Sequence, residues 1–258
     1  MPAVRLVAGL AAACCFVTAG GPVRAAPHEI NVFTDEIEEP GHVGLEMHVN
    51  FARGRGVPDF ASEIPPDRSL RVMPELVIGL GNRWEAGLHL PMQRDRDGKL
   101  HADGLRVRFK HVFEQPENTA YFSGVNLEWG YDRPHLSEDR HNLELRGIFG
   151  LRTGPWLFAV NPILAWVANG PNRSSRPEFE ASLKVAREIR PGLAIGVEQY
   201  SGFGPMGNFL PQREQDQMLY LAVDFEHKGW SINFGVGTGL TAGSDDRVIK
   251  AIIGIPFK

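Results

Sequence analysis

The chain has 258 residues, 43% hydrophobic and 22% charged, and a formal net charge of -4. An acidic balance of this kind argues against a nucleic-acid partner. Both cysteines, Cys14 and Cys15, stand within the first 25 residues, so the rest of the chain has no disulfide and no thiolate metal site.

Those first residues read as a secretory signal. Arg5 precedes an apolar stretch from Leu6 to about Ala19, and Val23-Arg24-Ala25 offers the small-x-small pattern that signal peptidase cleaves. At about 14 residues the stretch is shorter than the roughly 20 that a membrane-spanning helix needs. Loss of residues 1–25 removes Arg5 and Arg24 and takes the net charge from -4 to -6. Residues 26–41 then form an acidic periplasmic N-terminal segment with Glu29, Asp35, Glu36, Glu38 and Glu39. Its stretch from His28 to Glu39 suits either a loose tail or a plug entering a pore from below.

From His42 to the end one pattern recurs: about ten residues alternating apolar and polar, then a turn or loop. Period-two alternation marks a strand with two unlike faces. In HVGLEMHVNFA the residues Val43, Leu45, Met47, Val49 and Phe51 oppose Glu46, His48 and Asn50. Twelve such segments are predicted, at about 42–52, 70–80, 83–92, 104–113, 120–130, 142–152, 156–167, 178–188, 192–200, 217–226, 230–240 and 247–257. The loops between them alternate long and short, with a tight turn at Gly81-Asn82. Loops sorted by side, an even strand number and apolar faces almost free of mid-strand charge together predict an all-β fold. The fold expected is a transmembrane antiparallel up-and-down barrel of about twelve strands, residues 42–258, in the bacterial outer membrane. Trp156 and Trp166 share one face ten residues apart, roughly 25 Å along the membrane normal for a tilted strand, which is the spacing of the two aromatic girdles.

The segment INVFTDEIEEPGHVGLEMHVNFA, with PELVIGLGNRWEAGLHLP and DGLRVRFKHVF after it, resembles the start of the outer-membrane channel family named for the meta-pathway of phenol degradation. Thr34, Asp35, Pro40 and Gly41 match that family's opening, and SLKVAREIRPGLAIGVEQYSGFG is similar to its later hairpin, ending at Glu198 and Tyr200. The resemblance implies passage of a small solute, aromatic or apolar, across the outer membrane. One departure is Lys258 after Phe257, where such barrels usually end on an aromatic residue.

The inward faces define the candidate pore lining. The first three strands supply Glu46, His48, Glu75, Arg83, Glu85 and His89. The fourth supplies a basic row, Arg106, Arg108 and Lys110; later strands add Glu144, Arg146, Glu198, Asp224 and Glu226. Opposed rows of this kind set a transverse field that filters solutes by charge. The alternatives are a plugged structural barrel, in which these charges pair with their neighbours, and an outer-membrane lipid-hydrolysing enzyme. Ser201 in EQYSGFG lacks the glycine two residues before it and no His-x-Ser pair occurs, so no catalytic residue is assigned. No cofactor or metal is assigned either, although His135, Asp139 and His141 form a candidate loop cluster. The partners expected are outer-membrane lipid, a small-molecule solute, and the barrel-assembly machinery during biogenesis. The apolar loop SGFGPMGNFLPQRE, with Phe203, Met206, Phe209 and Leu210, suits a constriction, capture of an apolar solute, or packing against its own loop.

Overall fold

The computed structural model describes residues 29–54, 58, 60–116 and 119–256; the predicted signal segment and the Phe257-Lys258 end lie outside these. Fourteen strand segments follow one another: β1 (Val43–Arg53), β2 (Ser69–Gly81), β3 (Trp84–His89), β4 (Met92–Arg94), β5 (Leu100–Ala102), β6 (Gly104–Val112), β7 (Tyr121–Asp132), β8 (His141–Thr153), β9 (Trp156–Asn169), β10 (Glu178–Arg190), β11 (Leu193–Pro205), β12 (Asp216–His227), β13 (Trp230–Gly239) and β14 (Arg247–Ile255). Every pairing among them is antiparallel, and β1 pairs with both β2 and β14, so the sheet closes on itself. β3 with β4, and β5 with β6, each form one interrupted stave, which makes a barrel of twelve. Closure pairs every long stave on both sides, the condition for a sheet in hydrocarbon, and leaves an open edge only at the short β5 of the loop-end hairpin.

The predicted segments match these staves to within a few residues, with two informative differences. The third is broken at Leu90-Pro91, because Pro91 has no N–H for the ladder; beyond it β4 and β5 form a hairpin that extends the wall. The ninth, β11, runs to Pro205 rather than ending near Tyr200, carried by pairing of β10 with Ser201, Gly202, Gly204 and Pro205 across a bulge.

The four tight turns and the connection at 113–120 lie at one end; the long loops lie at the other, together with the medium connection at 240–246. The first tight turn is Asn82-Arg83, not Gly81-Asn82: Gly81 still pairs with Trp84, and Asn82 (φ 48°) and Arg83 (φ 62°) are both left-handed, a type I′ turn matched to strand twist. Outside, the barrel presents Leu80, Leu127, Leu221 and Val236 to their surroundings, with Leu221 63% exposed. Such a surface belongs in lipid. Trp84, Trp156 and Trp230 ring the turn end and Trp129 and Trp166 the loop end, with Trp84 stacked on His111 at 4.4 Å and Trp129 on His141 at 5.5 Å. The fold is that of a bacterial outer-membrane β-barrel.

The interior is filled in part by the chain's own start. Residues 29–39, the described part of the expected periplasmic segment, run inside the lumen rather than hanging below it. Pro40 forms a parallel bridge with Gly79 at the turn end, where the Gly41 N–H donates to the Gly79 carbonyl at 2.8 Å. Gly79 must lack a side chain there, since a Cβ would collide with the Glu39 carbonyl. Higher in the lumen, Ile30 packs with Ala52, Met218, Tyr220 and Val248, while Val32 and Phe33 pack with Phe122, Ile148 and Ala159.

Candidate functional site

Alternation turns one face of every strand inward, so twelve staves converge their polar residues on a narrow lumen. The described pore-lining candidates fall into three groups. Glu75, Glu85, His89, Arg106, Arg108 and Lys110 lie on one wall, built by β2, β3 and β6, with His48 and Glu46 beside them on β1. Glu198 and Asp224 lie on the opposite wall, on β11 and β12. Arg146 and Glu144 on β8 stand between. Two candidates sit apart from these groups. Arg83 occupies the first turn, exposed, its Nε donating to the Val112 carbonyl at 2.9 Å, so it does not point into the barrel as expected. Glu226 is exposed near the turn end of β12.

On the first wall Arg108 is the hub. Its Nε lies 2.5 Å from Glu75 Oε1 and its Nη1 2.6 Å from Glu85 Oε1. It reaches Glu75, two strands away, over Gly87, where a Cβ would stand 2.6 Å from the Glu75 oxygen and 2.8 Å from the Arg108 side chain. Glu75 also lies 2.8 Å from His89 Nε2 and 3.2 Å from His48 Nε2, while Glu46 lies 3.6 Å from His48. Arg106 bridges Glu128 at 3.0 Å and Asp132 at 3.4 Å. The basic row therefore pairs with acids on its own wall and does not face opposed acids across a gap.

On the second wall Glu198 gathers four donors: Lys184 at 3.2 Å, the Tyr200 hydroxyl at 2.7 Å, Asn233 at 3.0 Å, and Lys250. Asp224 takes Lys184 at 2.7 Å and Asn233 at 2.7 Å.

The N-terminal segment is clasped by both walls. Asn161 holds Phe33 from both sides, accepting its N–H at 2.7 Å and donating to its carbonyl at 3.0 Å. Arg146 donates to the Asn31 carbonyl at 3.1 Å, Lys250 to that of Ile30 at 2.9 Å, and Lys110 to that of Glu36. Arg146, Arg108 and Lys110 surround the Phe33 ring at 4.5, 5.3 and 5.3 Å, so the ring's electron-rich faces meet cations. The Glu38 carboxyl, near the turn end, is pushed above its ordinary value by burial and then by the Glu85 charge. Sequence reasoning missed Asn161 and Lys250. Each is the lone strongly polar residue in an apolar inward run, and that was the available signal.

A half-open cavity of about 740 Å³ remains at the turn end, between residues 31–38 and the walls at Glu46, Glu85, Arg108 and Ser231. At the loop end Phe179, Phe203 and Phe209 stack on one another at 5.5 to 6.0 Å, the loop packing on itself. The loop cluster suggested for a metal does not converge among the described residues. His135 pairs with Asp103 at 2.8 Å, His141 stacks on Trp129, and Asp139 binds Asn172.

No protein family and no curated protein matches the chain. Solved structures do. A COG4313 outer membrane channel from Pseudomonas putida F1 superimposes with a TM-score of 0.64 at 15% identity, over 89% of this chain and all of the other. The KdgM porin, solved in complex with disordered oligogalacturonate, gives 0.57 at 9% identity over 83% of this chain and 99% of its own. The NanC porin gives 0.53 at 12% identity over the same shares. At these identities the likeness is one of fold, and the fold it supports is the twelve-stranded outer-membrane barrel.

Proposed function

We propose that this protein is an outer-membrane channel through which a small solute crosses passively, exported by a signal in residues 1–25 and closed at rest by residues 29–39. The observation that carries the reading is the way this segment is held. It enters no stave of the barrel; side chains of the walls grip its backbone carbonyls, with apolar contacts at Ile30, Val32 and Phe33. A segment bound that way is a separable stopper, and the cavity of about 740 Å³ beside it is where a solute would wait on the turn side. Fold likeness to channels and porins supports the same reading.

Mutual pairing of the wall charges leaves little net field, which favours an uncharged solute, and the exposed Phe209 and Met206 at the loop end offer it an apolar first contact. An aromatic or apolar solute, as in the phenol-degradation family that the sequence resembles, fits both features. The second reading is a permanently closed structural barrel, favoured by the extent of that pairing. Planar-bilayer recordings of refolded protein separate the two, using residues 26–258 beside a chain lacking residues 29–39. Rare openings that become frequent and larger without the segment are the expected result. Silence from both, with each shown to be folded, overturns the channel.

A further inference from the structure

Three residues in the lumen bring ligand atoms together, and each carries a buried atom without a hydrogen bond. Glu29 Oε1, His89 Nδ1 and Glu128 Oε2 are each buried with no hydrogen-bond partner, on side chains that are respectively part of the N-terminal segment, β3 and β7. His89 is 0% and Glu128 3% exposed. One ligand atom from each of the three residues falls within 4.8 Å of the others, and His89 Nδ1 stands 3.7 Å from Glu128 Oε2. Two ligands about 2.0–2.1 Å from one tetrahedral ion lie about 3.3–3.4 Å apart, so this pair needs to close by only a few tenths of an ångström.

The opposite atom of each wall residue faces a charged neighbour, the His89 Nε2 contact being electrostatic and not a hydrogen bond. His89 Nε2 lies 2.8 Å from Glu75 Oε1, and Glu128 Oε1 takes Arg106 Nη1 at 3.0 Å. A carboxylate behind a ligating imidazole is the usual way of fixing its orientation and raising its basicity. The nearby guanidinium charges have acids of their own, Asp132 for Arg106 and Glu85 for Arg108. Left over are an imidazole and two carboxylates, the donor set of a borderline dication; an imidazole would be a poor choice for calcium or magnesium.

We propose that Glu29, His89 and Glu128 bind a divalent transition cation of the zinc class inside the barrel, and that the ion staples the N-terminal segment to the lumen wall. Two of the ligands belong to the wall and the third to the segment, so binding and docking are one equilibrium: whatever removes the ion loosens the segment. The inference stands whether or not the barrel conducts.

The test uses residues 26–258 refolded in detergent micelles, titrated with Co²⁺ by visible absorption and with Zn²⁺ by calorimetry. One saturating site is expected, weakened at least about tenfold by Glu29→Gln and by His89→Gln and unchanged by Glu46→Gln. Glu29→Gln lies outside the strands and decides the matter if His89→Gln fails to fold. Absence of saturable binding, or wild-type affinity in Glu29→Gln, overturns the proposal. Loss of binding in Glu46→Gln also overturns it, since the ion would then belong to the neighbouring Glu46, His48 and Glu75 cluster. Zn²⁺ should also slow amide exchange of residues 30–39 in the unaltered protein and not in Glu29→Gln; unchanged exchange overturns the staple.

Discussion

The two walls of the lumen solve the same problem, charge inside a barrel, in different ways. On the wall at β10 to β14 the charges are saturated: Glu198 collects four donors, and Lys184 and Lys250 are matched by Glu198 and Asp224. The wall at β2 to β7 is a branching web in which Glu75, Glu85, Glu128 and Asp132 meet Arg106, Arg108 and Lys110, with His48 and His89 between them. One is a locked joint around a single carboxylate. The other carries one more acid than fixed base and leaves ligand atoms open. A saturated cluster serves to hold; an unsaturated one of the same depth has capacity left for something else.

Breaking the saturated wall should have the largest effect. Glu198→Ala leaves Lys184 and Lys250 buried with their shared anion gone, and a loss of about 3–5 kcal/mol is expected in urea unfolding of the micelle-bound barrel. On the branching wall the same kind of cut should do less. Arg108→Ala removes two charged hydrogen bonds, about 2–3 kcal/mol, but His48 and His89 remain on Glu75 and Lys110 on Glu85. It also exposes negative charge, so reversal-potential measurements on an open form should move toward cations; unchanged preference would mean that this wall does not line the path.

Gly79→Val tests what both walls share. It obstructs the place where Glu39 and Pro40 pass β2, and it should speed amide exchange of residues 30–39 while barrel unfolding shifts by less than about 1 kcal/mol. Smallest of all is an effect outside both walls. The Asp95 carboxylate, at the tip of the β4–β5 hairpin, is held below its ordinary 3.8 by a hydrogen bond from His101, then by backbone N–H groups of Lys99 and Asp97. A depressed carboxylate stabilises above that ordinary value and stops doing so as pH falls through the lower one. Exchange at the hairpin tip should therefore quicken only below about pH 4, with the lumen unaffected.

Much of the barrel was legible because alternation and loop length are local. Val43 to Phe51 reveal their face from five residues, and lipid outside enforces the pattern on every strand. Which inward charges meet was not legible. Partners depend on stagger between strands, so that Arg108, directly beside Gly87, joins an acid beyond it, and Lys110 turns to a carbonyl of the N-terminal segment. The segment itself has no periodicity to read. Its bonds come from residues such as Asn161 and Lys250, 128 and 220 positions away, and they address its backbone, which every sequence possesses. What the sequence did offer was Phe33 and Ile30 among acids, a poor composition for a tail in water.

The bridge between Pro40 and Gly79 also sets the kinetics of any release. Residues 29–39 are leashed at the turn end, and fully extended they reach about 36–40 Å, more than the roughly 30 Å of a hydrocarbon core. The segment can therefore clear the lumen without leaving the molecule. Its departure would be a first-order event indifferent to protein concentration, and its return a loop closure at an effective concentration in the millimolar range, set by the leash rather than by diffusion.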